Sequence, residues 1–210
     1  MFFTDRPIED PKDLYDREEE LKALIESIAK RSITLIIGLR RTGKTSLIKV
    51  ATRDMPRIYI DARKFEERSY LTYRDFLREF RRGLSELMPK FRKIADYLRY
   101  VAGVNVVGVR IEFNWREGRP SLASILDCLN NWARDRGVKL VIVFDEAQEF
   151  VKLKGFNMIP IISYAYDNLS NISFIFAGSK IGMLYNFLKI DDPSSPLREI
   201  HGGDRAKAVN

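Results

Sequence analysis

The segment Gly38-Leu39-Arg40-Arg41-Thr42-Gly43-Lys44-Thr45 constrains this chain more than any other stretch, because it fulfils Gly-x-x-x-x-Gly-Lys-Thr in full. Before it, Ile33-Thr34-Leu35-Ile36-Ile37 is a short β-branched run, and after it Ser46 to Thr52 continues from Lys44 with helical character. A strand, a glycine-bounded loop and a helix therefore follow one another in order. Glycines allow backbone angles that aim successive N–H groups inward, and the helix start adds its positive end. A polyphosphate would meet a concave array of donors there. Lys44 would reach the β- and γ-phosphates as a point charge, and the Thr45 hydroxyl would give magnesium one oxygen ligand. The expected binding set is Gly38, Leu39, Arg40, Arg41, Thr42, Gly43, Lys44, Thr45 and Ser46, with solvent-facing filler as the ordinary role for Arg40 and Arg41.

A second motif lies on the strand-like run Leu140-Val141-Ile142-Val143-Phe144, which ends in Asp145-Glu146. Strand ends point at the ligand in open α/β sheets. Asp145 is the expected metal partner alongside Thr45, holding magnesium largely through its water shell. Glu146 is the expected catalytic carboxylate, polarising an attacking water, with Lys44 stabilising charge on the phosphates. An adjacent glutamate favours hydrolysis over transfer to a small substrate hydroxyl. A third apolar run, Ile172 to Ala177, ends at Gly178-Ser179-Lys180, which makes Ser179 a candidate near the γ-phosphate. Asp61, at the end of the run Arg57 to Asp61, carries a weaker case.

The remaining pattern predicts an α/β domain in three layers, with a mainly parallel central sheet. Leu21, Leu24, Ile25 and Ile28 mark a helix over 17–29; Tyr73, Phe76, Leu77, Phe80, Leu84 and Leu87 mark one over 73–88, closed by Pro89. A further helix is predicted over 91–101. Val107, Val109, Ile111, Phe113 and Trp115 alternate with more polar residues or glycine, which predicts a strand, paired as a hairpin with 103–106. Leu122, Ile125, Leu126, Leu129 and Trp132 form a helical stripe stopped by Gly137, and 159–169 is predicted helical. The helices and hairpin between Asp61 and Leu140 thus form an insertion before the acid-bearing strand. The domain is expected to span 1–197, with 198–210 a polar C-terminal tail.

Composition removes several alternatives. Cys128 is the only cysteine and His201 the only histidine, so an internal disulfide and a zinc site of ordinary ligand type are excluded. Any metal must be oxygen-ligated. The apolar runs fall far short of the roughly 20 residues that cross a bilayer, and the start has no secretory pattern, so a cytoplasmic location without membrane contact is expected. The net charge of +7 permits attraction to polyanions. Much of the excess lies over 63–99, where acids interleave the bases as on a solvated helical surface.

Four features together resemble the archaeal ATPase family, P-loop proteins related to the STAND and AAA+ branches. They are Phe3-x-x-Arg6 with Arg17-Glu18-x-Glu20-Leu21, the loop 38–45, Asp145-Glu146-Ala147-Gln148, and Phe176-Ala177-Gly178-Ser179. The resemblance implies ATP as ligand with Mg2+. It also implies Walker A roles for Lys44 and Thr45, the Walker B role for Asp145, catalysis for Glu146 and a sensor position for Ser179. In the family, Ser-Pro-Leu is typically followed by an aromatic, Gly and Arg, then a helical lid and a winged-helix module; here Ser195-Pro196-Leu197 leads into Arg198-Glu199-Ile200-His201. Arg198 and Arg205 are then arginine candidates without a matching frame. The expectation is an ATP-binding switch with weak or partner-stimulated hydrolysis. A nucleic-acid-associated ATPase or loader module, with DNA or a protein bound through 63–99, and a small-molecule kinase are the alternatives.

Overall fold

The computed structural model describes residues 7–108, 110–115 and 119–197, and the backbone of 206–209. In chain order the elements are α1 (Glu18–Lys30), β1 (Ile33–Ile37), α2 (Lys44–Ala51), β2 (Arg57–Asp61), α3 (Tyr73–Leu87), α4 (Ile94–Leu98), β3 (Val104–Val107), β4 (Arg110–Phe113), α5 (Leu122–Asp135), β5 (Leu140–Asp145), α6 (Ile159–Asn168), β6 (Ile172–Gly178), α7 (Ile181–Leu188) and β7 (Ala206–Val209). Five strands form one sheet in the order β2-β5-β6-β1-β7, and every pairing in it is parallel. Ile37 is level with Gly178, and Asp61 with Asp145. The tips of β1, β2, β5 and β6 therefore make one rim.

The sheet is covered on both faces, which is why β1, β5 and β6 are buried along their whole length. On one face Leu24 and Ile28 of α1 and Leu47 and Ile48 of α2 pack on Ile36, Val141, Val143, Ile175 and Ala177. On the other, α3, α5, α6 and α7 cover Leu35, Ile58, Ile142, Phe144, Phe174 and Phe176. Phe144 and Phe176 stack with ring centres 5.1 Å apart, and Phe76 of α3 reaches Phe144 at 6.2 Å. The strand that carries the acidic pair is thus braced by an aromatic layer.

Helix α3 begins with a reciprocal cap: Thr72 accepts from the Asp75 amide, and Asp75 accepts from the Thr72 amide. It lies so close to β2 that a Cβ on Gly83 would sit 2.9 Å from Ile58 Cγ2 and 3.1 Å from the Tyr59 carbonyl oxygen. A helix-weakening residue in mid-helix is explained by that approach.

The structure departs from the sequence expectations in four places. The alternating run 107–115 is not one strand, because the chain reverses after Val107 and β3 pairs antiparallel with β4, Val104 opposite Phe113. Gly108 at φ 61° supplies the left-handed corner that a two-residue hairpin loop needs. The helix expected over 91–101 shortens to α4, since Ile94, Ala95 and Asp96 donate three residues back rather than four. A short 3-10 segment, Ala147–Lys152, follows β5, and α7 follows β6; neither was expected. Residues 206–209, placed in the tail by sequence, form β7 beside β1. Four small or mixed residues give too weak a periodic signal for a strand, and the neighbouring edge of β1 supplies the pairing.

Candidate functional site

The loop after β1 turns at Gly43, φ 82°, directly before α2, and Arg41 also has a positive φ of 65°. Thr42 Oγ1 donates to the Leu39 carbonyl at 2.9 Å, closing the loop on itself. Lys44 folds into it, with Nζ donating to the carbonyls of Gly38 at 2.7 Å and Leu39 at 2.6 Å. Its side chain is buried without a carboxylate salt-bridge partner among the described residues. Burial pulls the Lys44 ammonium below its ordinary pKa, against the opposing charges of Glu146 and Asp145. Arg17, from the segment entering α1, donates to the Thr42 carbonyl at 2.6 Å and pins the loop from outside.

At the tip of β5, Asp145 Oδ2 accepts from Thr45 Oγ1 at 2.7 Å and from the Tyr59 hydroxyl at 2.5 Å. Burial, followed by the nearby Asp145 charge, pushes the Tyr59 phenol well above its ordinary range, so it stays a donor. Glu146 follows with a left-handed backbone, φ 51°. Its Oε2 accepts from Gln148 Nε2, from Ser179 Oγ at 2.6 Å and from the Ser179 amide at 3.3 Å. Burial alone would raise the Glu146 carboxyl, but those donors from Gln148 and Ser179 and the Lys44 charge outweigh it and hold it below the ordinary carboxylate range. A Cβ at Gly178 would come within 2.6 Å of Gln148 Oε1, so the clamp needs glycine there.

A cleft of about 810 Å³ collects Arg40, Arg41, Gly43, Lys44, Thr45, Ser46, Arg63 and Glu146, with Pro7 and Ile8 at its border. Ser46 Oγ accepts from the Ile8 amide at 3.0 Å and ties that border to α2. Arg40 is turned to Glu66 on the surface, and Leu39 is exposed. The structure thus gathers Lys44, Thr45, Asp145, Glu146 and Ser179, with Arg40 and Arg41 on the exposed wall of the cleft and Leu39 turned to solvent. Arg198 and Arg205 lie outside the described residues.

Thr45 and Asp145 offer hard oxygen donors already in contact, which is the donor chemistry magnesium takes. Among the described residues no group of three or more His, Cys, Asp or Glu side chains is arranged to hold a metal. That donor set suits an ion completed by phosphate oxygens and water.

Sequence reasoning quoted Arg17 and Gln148 in the motifs of the resemblance without giving either a role at the site, and it missed Tyr59 and Arg63. Their signal was positional: Tyr59 and Arg63 flank Asp61 at a strand end level with Asp145, a register that appears only once the sheet order is known.

Among the described residues, no helix is long and apolar enough to cross a membrane. No curated protein matches the chain. Among solved structures, the Walker-type ATPase of Pyrococcus abyssi superposes with a TM-score of 0.74 at 31% identity, over 100% of this chain and 57% of that one. The ORC2 protein of Aeropyrum pernix, solved as ADPNP–ADP complexes, gives 0.58 at 17% identity over 98% of this chain and 50% of that one. Cdc6p of Pyrobaculum aerophilum gives 0.53 at 19% identity over 95% of this chain and 46% of its own. The chain therefore spans about half the length of these structures, and the latter two share its three-layer P-loop fold. Residues 14–201 match the ATPase domain predominantly from Archaea, and at that coverage the chain belongs to this family.

Proposed function

We propose that this protein binds ATP with Mg2+ at the rim of β1, β5 and β6 and hydrolyses it slowly, using the nucleotide to switch between two arrangements of that rim. One observation carries the reading: a buried ammonium and a hydroxyl from the start of α2, and two carboxylates and a serine from the tips of β5 and β6, converge beside one glycine-bounded loop. Lys44, the loop amides and the start of α2 bind the triphosphate, and Thr45 and Asp145 hold the ion, which neutralises phosphate charge. Glu146 orients water, and Ser179 holds Glu146.

The switch follows from what those groups touch in this structure. Lys44 must leave the Gly38 and Leu39 carbonyls to meet phosphate, and Thr45 must share its contact with Asp145. Glu146, clamped by Gln148 and Ser179 and lowered in pKa, is a weak base until those donors let go. Slow basal turnover is the consequence. Magnesium-dependent ATP binding and phosphate release by the wild type, beside Glu146→Gln, test it: turnover near the ~10 s⁻¹ typical of enzymes contradicts the clamp. Release of phosphate without an acceptor separates hydrolysis from the kinase reading.

A nucleic-acid-associated role is the second reading. Its support is a cleft of about 460 Å³ beside β2, lined by Lys49, Arg53, Arg57, Lys64, Arg82 and Lys90 among others. DNA affinity that falls steeply with salt supports it, and no DNA binding at low salt contradicts it.

A further inference from the structure

We propose that Arg63, at the tip of β2, is the arginine that contacts the terminal phosphate, held in place by Asp61. The inference rests on the ATP reading above and names a residue that neither the motifs nor the family resemblance brought forward.

Three observations carry it. First, Arg63 lines the same cleft as Lys44, Thr45 and Glu146. It also borders a small recess with Glu146, Gln148 and Ser179. It is therefore on the side of the cleft where water would be activated, while Pro7, Ile8 and Ser46 mark another part of its border. Second, Arg63 is gripped on one edge only. Nε donates to Asp61 Oδ1 at 2.9 Å and Oδ2 at 3.1 Å, Nη2 donates to Oδ2 at 2.5 Å, and the Arg63 amide caps Oδ1 at 3.0 Å. That fork fixes the guanidinium plane and leaves Nη1 without a partner among the described residues. Third, the other arginines are held differently: Arg40, which lines the same cleft and recess, meets Glu66 through Nη2 alone, Arg41 stands in the loop with no carboxylate fork among the described residues, and Arg17 donates to the loop from outside. Because Asp61 is level with Asp145 in the sheet, the grip places Arg63 beside the ion-binding carboxylate.

A donor aimed at charge that develops in the transition state is worth about 10²- to 10³-fold in rate. It also contacts a group that ATP has and ADP lacks. The test uses the full chain with magnesium, measuring phosphate release and the separate affinities for ATP and ADP in wild type, Arg63→Ala, Arg63→Lys and Asp61→Asn. Arg63→Gln, which keeps the aliphatic stem but is too short and uncharged to reach the phosphate, replaces Arg63→Ala if that variant fails to fold. The proposal predicts that Arg63→Ala lowers turnover about 10²-fold or more and weakens ATP more than ADP. Arg63→Lys should restore little, since an ammonium cannot hold the fork and reach phosphate together. Asp61→Asn should fall between, with ADP affinity retained. Unchanged turnover with an unchanged ATP-to-ADP affinity ratio in Arg63→Ala overturns the assignment, as does an equal loss for both nucleotides. A folded wild type that binds neither nucleotide removes the ATP reading itself, a different failure from a wild type that binds while Arg63→Ala behaves identically.

Discussion

Lys44 and the arginines of α3 are all cations of one basic chain, yet they stand in opposite physical situations. Lys44 is 6% exposed and is satisfied by two loop carbonyls. Two of the four α3 arginines are half exposed and matched to acids on their own helix, Arg78 with Asp75 and Arg82 with Glu79 and Glu86, while Arg74 lies over the Trp115 ring and Arg81 donates to the Ile111 carbonyl. Local charge density over 63–99 is therefore largely answered by interleaved carboxylates, and such exposed pairs contribute only about 0–1 kcal/mol each. A buried cation whose only partners are neutral carbonyls is different, because an incoming anion gives it something the protein does not. Availability of a charge, more than its abundance, marks the site.

Several substitutions sharpen or break that contrast. The largest effect falls at the rim: Glu146→Gln should cut turnover by about 10²- to 10⁴-fold while leaving ATP binding intact, read by phosphate release and equilibrium binding on the same preparation. Loss of binding in that variant would make Glu146 a structural residue instead. Next comes the apolar side of α3, where Phe76 is fully buried against Phe144 and Phe150. Phe76→Ala should cost about 3–5 kcal/mol in denaturant unfolding, far beyond any charge on the outer face of that helix.

A smaller effect is expected from pH. The Glu146 carboxyl is lowered in the folded protein, so its ionised form contributes stability above its unfolded value of about 4.3, lost as pH falls through the lower folded value. The wild-type melting temperature should therefore fall relative to that of Glu146→Gln below about pH 4.3, with the two curves running parallel above it. Parallel curves throughout would contradict the clamp by Ser179 and Gln148. The smallest change belongs to the surface: Arg78→Ala should alter stability by less than about 1 kcal/mol. A larger loss would show that the α3 charges are not merely solvated pairs.

Much of this was legible in the chain itself, for identifiable reasons. The loop 38–45 is read from spacing because each of its residues has a separate local task, and β5 and β6 are read from unbroken apolar runs that only doubly covered strands carry. α3 follows from steps of three and four. What could not be read is whatever depends on register between distant segments. Tyr59 reaches Asp145, and Asp61 orients Arg63, only because β2 pairs with β5 tip to tip. β7 is invisible for the same reason, since a four-residue strand is defined by its neighbour more than by its own sequence. The break at Gly108 was misread because alternation continues on both sides of a two-residue turn.

The account turns on whether the Lys44 ammonium is held in reserve for a triphosphate, and thermal unfolding with and without magnesium ATP measures that most directly. At a ligand concentration about 100 times the dissociation constant, binding stabilises by about 2.7 kcal/mol, or roughly 5–10 °C for a chain of this size. The wild type should show that rise and Lys44→Ala should lose most of it; no rise in the wild type, or an equal rise in Lys44→Ala, would contradict the site as described.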